Sequence, residues 1–152
     1  MMFVTDLPGE KPIVWEYLNK KARVPWSTDI HVIGQMRKNG TLAGAVAYNN
    51  WVPNACFIHI AVDSEHSMNL SGIREAFRYP FITRGLRALY GLTPISDTPI
   101  LEFLRRLGFT IKYRDGNFVL HRMLATECRW LKGVNGWAAA QHLQHQTIPA
   151  QH

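Results

Sequence analysis

Leu101-Glu102-Phe103-Leu104-Arg105-Arg106-Leu107-Gly108-Phe109 is the stretch on which the fold turns. Leu101, Leu104 and Leu107, with Phe103, recur near the helical period, while Glu102, Arg105 and Arg106 take the wet side. Gly108 stands where a left-handed C-cap ends a helix, and Phe109 opens a strand at once. Asp115-Gly116 is a hairpin turn dipeptide, so the strand after Gly108 pairs with a second one over 118–123. Alone this is an ordinary helix-to-strand corner; the segments before it give it meaning.

Working back from the corner, residues 86–92 read as a strand closed by Pro94. Residues 70–83 read as a helix that buries Ile73, Ala76, Phe77 and Phe81, with Pro80 kinking it or ending it early. Residues 63–69 are polar and aperiodic. Residues 56–62 form a strand apolar on both faces, as at the centre of a sheet. The Asn39-Gly40 pair predicts a hairpin between strands 31–37 and 42–48, with a loop over 49–54. Pro12 fits the first turn of a helix ending at Ala22, with Trp15, Leu18 and Ala22 on its apolar face. Residues 1–11 read as an irregular lead-in. The expected order is helix, three antiparallel strands, helix, strand, helix, two strands. Residues 132–152, with four Gln and three His, read as a peripheral tail with a short helix over 137–143.

The 152 residues, 47% hydrophobic and 18% charged, suit one globular domain over 1–131. No apolar run has the length of a membrane span, and the N-terminus has no basic region followed by an apolar block, so the expectation is a cytoplasmic protein without a signal peptide. Cys56 and Cys128 are too few and too far apart for a disulfide framework. The net charge of +6 suits phosphate-bearing partners; because the basic residues are scattered, a nucleotide cofactor fits better than nucleic acid.

Taken in order, five segments resemble the GNAT superfamily of acyl-CoA-dependent N-acyltransferases: G-A-V-A-Y-N-N-W (44–51), F-I-H-I-A-V-D (57–63), I-R-E-A-F-R-Y-P-F (73–81), P-I-L-E-F-L-R-R-L-G-F (99–109) and H-R-M-L-A-T-E-C-R-W-L (121–131). The likeness spans about 32–130. It is greatest to a compact subgroup ending in E-C-R-W-L that is frequent in bacterial and phage genomes. The resemblance implies an α/β fold with a mixed, mostly antiparallel central sheet, splayed at the central strand and flanked by helices. It also implies acetyl transfer from acetyl-CoA to an amine of a protein or small molecule by direct attack, and a homodimer paired through the last strands.

The resemblance places pantetheine against the backbone of Ile60, Ala61, Val62 and Asp63. It places the pyrophosphate on the helix N-terminus at Asn69, Leu70, Ser71 and Gly72, with Arg74 close enough to help neutralise it. Unpaired N–H groups and the helix dipole favour an anion there. Asp97 occupies the position of a coenzyme-contacting Asn. The chain also departs from the family pattern: Gly72 alone remains of the phosphate-loop glycines, and Leu104 stands where a Tyr commonly protonates the departing thiolate. Tyr90 and Tyr113 are the candidate substitutes. For the base that deprotonates the amine, the candidates are His59, which titrates near neutrality, and Asp63 at the strand's end. Strand alternation sets Phe57, His59, Ala61 and Asp63 on one face. His59 can equally be a neutral buried histidine satisfied by backbone.

Asn49, Asn50 and Trp51 are candidates for the acceptor side, or for a polar loop around a packed Trp. Cys128 reads as a small buried thiol rather than a nucleophile. His142-x-x-His145 with His152 has helical ligand spacing but no Cys or carboxylate beside it, and no metal is expected. The missing Tyr, the reduced glycine loop and Asp97 also fit a different protein, one that keeps the fold and binds and modulates a host or cellular protein.

Overall fold

The computed structural model describes residues 2–4, 9–64, 67–134 and 136–137. They form strands β1 (Met2–Val4), β2 (His31–Met36), β3 (Leu42–Val52), β4 (Ala55–Val62), β5 (Ala88–Pro94), β6 (Thr110–Arg114) and β7 (Phe118–Leu124). The helices are α1 (Lys11–Ala22), α2 (Leu70–Arg78) and α3 (Thr98–Leu107). One sheet runs β1-β2-β3-β4-β5-β7-β6, and every neighbouring pair is antiparallel except β4–β5. The architecture is therefore the mixed, mostly antiparallel α/β sheet expected from the sequence.

The two faces of the sheet carry separate cores. Even-numbered residues of β4, Cys56 and Ile58, pack with Phe77 of α2 and with Phe103, Leu104 and Leu107 of α3. On the opposite face Val14 and Leu18 of α1, both fully buried, pack against Val32, Ala45, Ala47 and Ala61. Burying each of these two side chains contributes about 1.5–3 kcal/mol, which is what holds α1 to β2–β4. The half of that face formed by β5, β7 and β6 has no helix over it among the described residues, and Leu92 and Tyr113 are half-exposed or more there.

Local chemistry explains where elements stop. Gly108 ends α3 at φ 106°, and its N–H returns to Leu104 and Arg105 carbonyls. Pro80 does end α2 early: the chain widens into a π-helical segment, Tyr79–Thr83. Pro80 has no N–H for the Ala76 carbonyl, and the buried Tyr48 hydroxyl donates to that carbonyl instead.

Three sequence expectations need correction. Residues 2–4 are not irregular but an edge strand, with Phe3 opposite Gln35. Residues 49–54 are not a loop: β3 runs through Val52, β4 starts at Ala55, and Asn54 at φ 70° makes the tight return. Beyond Leu131, Val134 packs on the α2–α3 core and Trp137 is buried in it, so the core does not end where the expected domain does. The rest of the 137–143 helix, and His142, His145 and His152, lie outside the described residues. No helix is long and apolar enough to cross a membrane among the described residues.

Candidate active site

β4 and β5 pair only at Ala55–Ala88, Cys56–Leu89 and Phe57–Tyr90. Beyond that they part, and a cleft of about 910 Å³ opens between them. One wall is Ile58, His59, Ile60 and Val62 of β4 with Asp63 just beyond its end; the other is Gly91 to Pro94 of β5. α3 floors it with Ile100, Phe103 and Leu104, and Lys21 to Arg23 close the α1 side.

The pairing of β4 with β3 decides which backbone groups face the gap. Asp63 N–H donates to the Ala43 carbonyl, so in an antiparallel ladder Ala61 and His59 also turn their N–H and C=O towards β3. Ile58, Ile60 and Val62 turn theirs towards β5; the Phe57–Tyr90 pair still engages the Ile58 N–H, and beyond it no strand meets Ile60 and Val62 among the described residues. The Ile58 carbonyl lies 3.9 Å from where a Cβ on Gly91 would stand. Of the four residues expected to present backbone to pantetheine, Ile60 and Val62 turn their backbone groups into the gap. Ala61 and Asp63 are spent on β3, which corrects the sequence reading.

His59 lines the cleft on the α1 side, partly buried, and its Nε2 lies 2.8 Å from Asn49 Oδ1. With the amide oxygen facing it, Nε2 carries the proton and Nδ1 keeps its lone pair. Burial lowers its pKa from 6.5, so the ring is neutral at pH 7. Asn49, placed in a loop by the sequence, is a buried strand residue that fixes this tautomer.

Asp63 is not free in the same way. Tyr17 Oη donates to it at 2.8 Å, Lys21 lies at 3.1 Å and Arg37 at 2.9 Å. The Tyr17 hydrogen bond first, then Lys21 and Arg37, hold its carboxyl below the usual range. It pins α1 and β2 to the end of β4. The bonded carboxylate also raises the Tyr17 phenol, after burial.

The start of α2 lies outside the lining of the cleft among the described residues, and so do Asn69 to Gly72 and Arg74. Asn69 caps α2, its Oδ1 accepting from Gly72 N at 3.0 Å. Gln35, buried on β2, escaped the reading of the sequence. Its Oε1 accepts from Asn69 N at 3.1 Å and its Nε2 donates to Asn69 Oδ1 at 2.6 Å. Gly72 is small because Gln35 and Met68 press on it: a Cβ there would stand 2.6 Å from Gln35 Oε1. Leu70 and Ser71 are exposed, as is Arg74.

At the other mouth Asp97 caps α3, its Oδ1 accepting from Ile100 N at 3.4 Å. Leu104 is buried and floors the cleft without a proton to give. Neither Tyr90 nor Tyr113 lines it; Tyr90 packs on Phe57 with centroids 6.0 Å apart, and Tyr113 stands on β6, exposed. Cys128 is buried, and burial pushes its thiol up to about 11, so it is no nucleophile at neutral pH. Trp51 Nε1 donates to the Asp29 carbonyl at 2.9 Å, away from the cleft, and Asn50 beside it is exposed. Among the described residues no three His, Cys, Asp or Glu gather as metal ligands.

No protein-family model matches the chain, and no curated protein sequence does. Solved structures do. A chimeric spermidine N-acetyltransferase from Vibrio cholerae superposes with a TM-score of 0.65 at 13% identity, over 86% of this chain and 99% of that one. The spermidine N-acetyltransferase of the same organism, in complex with CoA and spermine, gives 0.62 at 12% identity, over 86% and 97%. At such identity the likeness speaks for architecture alone, and on that architecture the chain has the fold of the GNAT acetyltransferases.

Proposed function

We propose that the protein is an acetyl-CoA-dependent N-acetyltransferase that passes an acetyl group to an amine of a protein or small molecule by direct attack. The observation that carries this is the parting of β4 from β5, which leaves the Ile60 and Val62 N–H and C=O groups facing a cleft with no strand partner among the described residues. A pantetheine arm has two amides, and an extended chain with amides completes an open strand edge. A neighbour of the same fold binds CoA. The bound thioester supplies the acyl group and a thiolate leaving group.

His59 is the proton acceptor in this reading. Asn49 holds Nε2–H, so Nδ1 takes the proton as the amine nitrogen bonds to the acyl carbon. Asp63 positions α1 rather than moving protons. Leu104 gives the thiolate nothing, and its proton comes from solvent through the open mouth. The exposed Leu70 and Ser71 amides with Arg74 take the pyrophosphate; the Asn69 and Gly72 N–H groups are already held by Gln35 and Asn69. Asp97, as a cap, sets the start of α3 beside the coenzyme.

That partly occupied α2 terminus, together with Leu104, favours one rival: a protein that keeps the fold and modulates a host or cellular protein. Thermal melting separates the two. A ligand that binds only the folded chain raises the midpoint with its concentration. Acetyl-CoA should raise it steadily into the millimolar range; no rise there removes the acetyltransferase reading and leaves the rival.

A further inference from the structure

The amine has to reach the cleft from the α1 side, where His59 stands, because α3 floors the other. That side is readable from the ladders. Phe57 pairs with Tyr90, Tyr90 with Arg122, and Arg122 with Thr110, so these four stand in one row across β4, β5, β7 and β6. Paired residues point to the same face, and adjacent strands lie about 4.8 Å apart, which puts Arg122 about 10 Å from β4. The next row holds Leu92 opposite Leu120. No helix covers this half of the face among the described residues.

Two cations on this side have no counter-charge among the described residues. Arg122 has a buried Nε without a hydrogen-bond partner. Arg23 lines the cleft at the end of α1, held in the left-handed region at φ 52° that a side chain rarely adopts. Neither guanidinium has an ion pair or hydrogen bond among the described residues. The nearby cation Lys21 is matched by Asp63, which Arg37 and Tyr17 also hold. The other carboxylates of the cleft, Asp97 and Glu102, belong to α3 on the far face, and Glu102 is spent on Arg105 and Arg106.

Resting on the acetyltransferase reading above, we infer that the acceptor is an amine carrying an oxyanion, a carboxylate or phosphate, held by Arg23 and Arg122 while its nitrogen meets His59. Guanidinium forks suit either oxyanion. A polyamine, the substrate that a neighbour's name gives, would bring positive charge to two unneutralised cations. The chain's net charge of +6 adds to that repulsion.

The test compares β-alanine and O-phosphoethanolamine with propylamine and spermidine as acceptors, with acetyl-CoA saturating. kcat/KM should favour the two anionic amines over propylamine by tenfold or more, with spermidine poorest. Arg23→Ala with Arg122→Gln should remove that preference through KM while the melting rise with acetyl-CoA stays. In parallel, O-phosphoethanolamine should raise the melting point of the CoA-loaded protein and spermidine should not. Equal or better use of spermidine, a preference unchanged in the double variant, or no rise with O-phosphoethanolamine overturns the inference and spares the acetyltransferase reading. No rise with acetyl-CoA itself overturns both.

Discussion

Gly91 is the residue at which the slot and the fold make different demands. It sits on β5 where the strand leaves β4, opposite His121 of β7. It has no left-handed φ to require glycine, and a Cβ on it would meet nothing nearer than the Ile58 carbonyl at 3.9 Å. A Cβ there meets no close contact, and the γ-methyls of Gly91→Val are expected to stand in the cleft that Gly91 lines. A β-branched residue in a strand and a stiffer unfolded chain stabilise by about 0.5–1 kcal/mol. For a domain of this size that raises the melting point of the free protein by roughly 1–4 °C. The two new methyls then stand where the arm of the coenzyme enters. Overpacking of that kind costs about 1–3 kcal/mol, a loss of affinity of about fivefold to 150-fold, with tenfold near 1.4 kcal/mol. At 100 times the dissociation constant a ligand stabilises by about 2.7 kcal/mol; a tenfold weaker one leaves about 1.4, so the thermal rise should halve. Differential scanning fluorimetry over an acetyl-CoA series reads both numbers. A variant that melts lower without ligand refutes the packing argument. One that binds acetyl-CoA as tightly as the parent refutes the slot.

Further predictions follow from His59, Gly72 and the buried histidines. His59→Ala should cut turnover with little change in the acetyl-CoA thermal rise; the parent's rate should climb with pH through a midpoint below 6.5, because burial lowers that ring's pKa, and then level off. Unchanged turnover in the variant would remove His59 from proton transfer. Gly72→Ala drives a Cβ to 2.6 Å from Gln35 Oε1 and 2.7 Å from Met68 Cγ, and Gln35 can yield only by breaking its two bonds to Asn69. It should destabilise by about 1–3 kcal/mol in denaturant melts, and parental stability would contradict that packing. His59 and His121 both have folded pKa values lowered by burial, so the unfolded chain binds more protons. Stability should be full above 6.5 and fall as pH drops through 6.5 and below; a flat profile between pH 7.5 and 5.5 would refute it.

Much of the fold was legible because local chemistry and tertiary structure agree. Gly108 as a cap, Asn39-Gly40 as a hairpin and the doubly apolar 56–62 segment each have one good structural solution, and the chain adopts it. The strand at 49–52 was hidden because its polar residues spend themselves locally: Asn49 binds His59, and Asn54 makes a two-residue return that resembles a loop. β1 has three residues and no period to read. The site was legible as a set of segments but not as a geometry. Which of residues 60–63 face the gap depends on the β3 ladder, and the parting of β4 from β5 after three pairs depends on register. Gln35 gave no signal, being one polar residue in a strand. Its role appears only where Asn69 and Gly72 come beside it. Arg23 and Arg122 are 99 positions apart, and only the fold sets Arg23 at the cleft and Arg122 in the sheet row of Phe57.

The central claim is that the coenzyme completes the open edge of β4, and amide hydrogen exchange tests it residue by residue. Without ligand, the Ile60 and Val62 N–H groups face the gap and should exchange quickly, while Ala61 and Asp63, paired with β3, should be slow. Adding acetyl-CoA should slow Ile60 and Val62 markedly and leave Ala61 and Asp63 as they were. Protection that leaves Ile60 and Val62 untouched while the coenzyme binds would contradict the account.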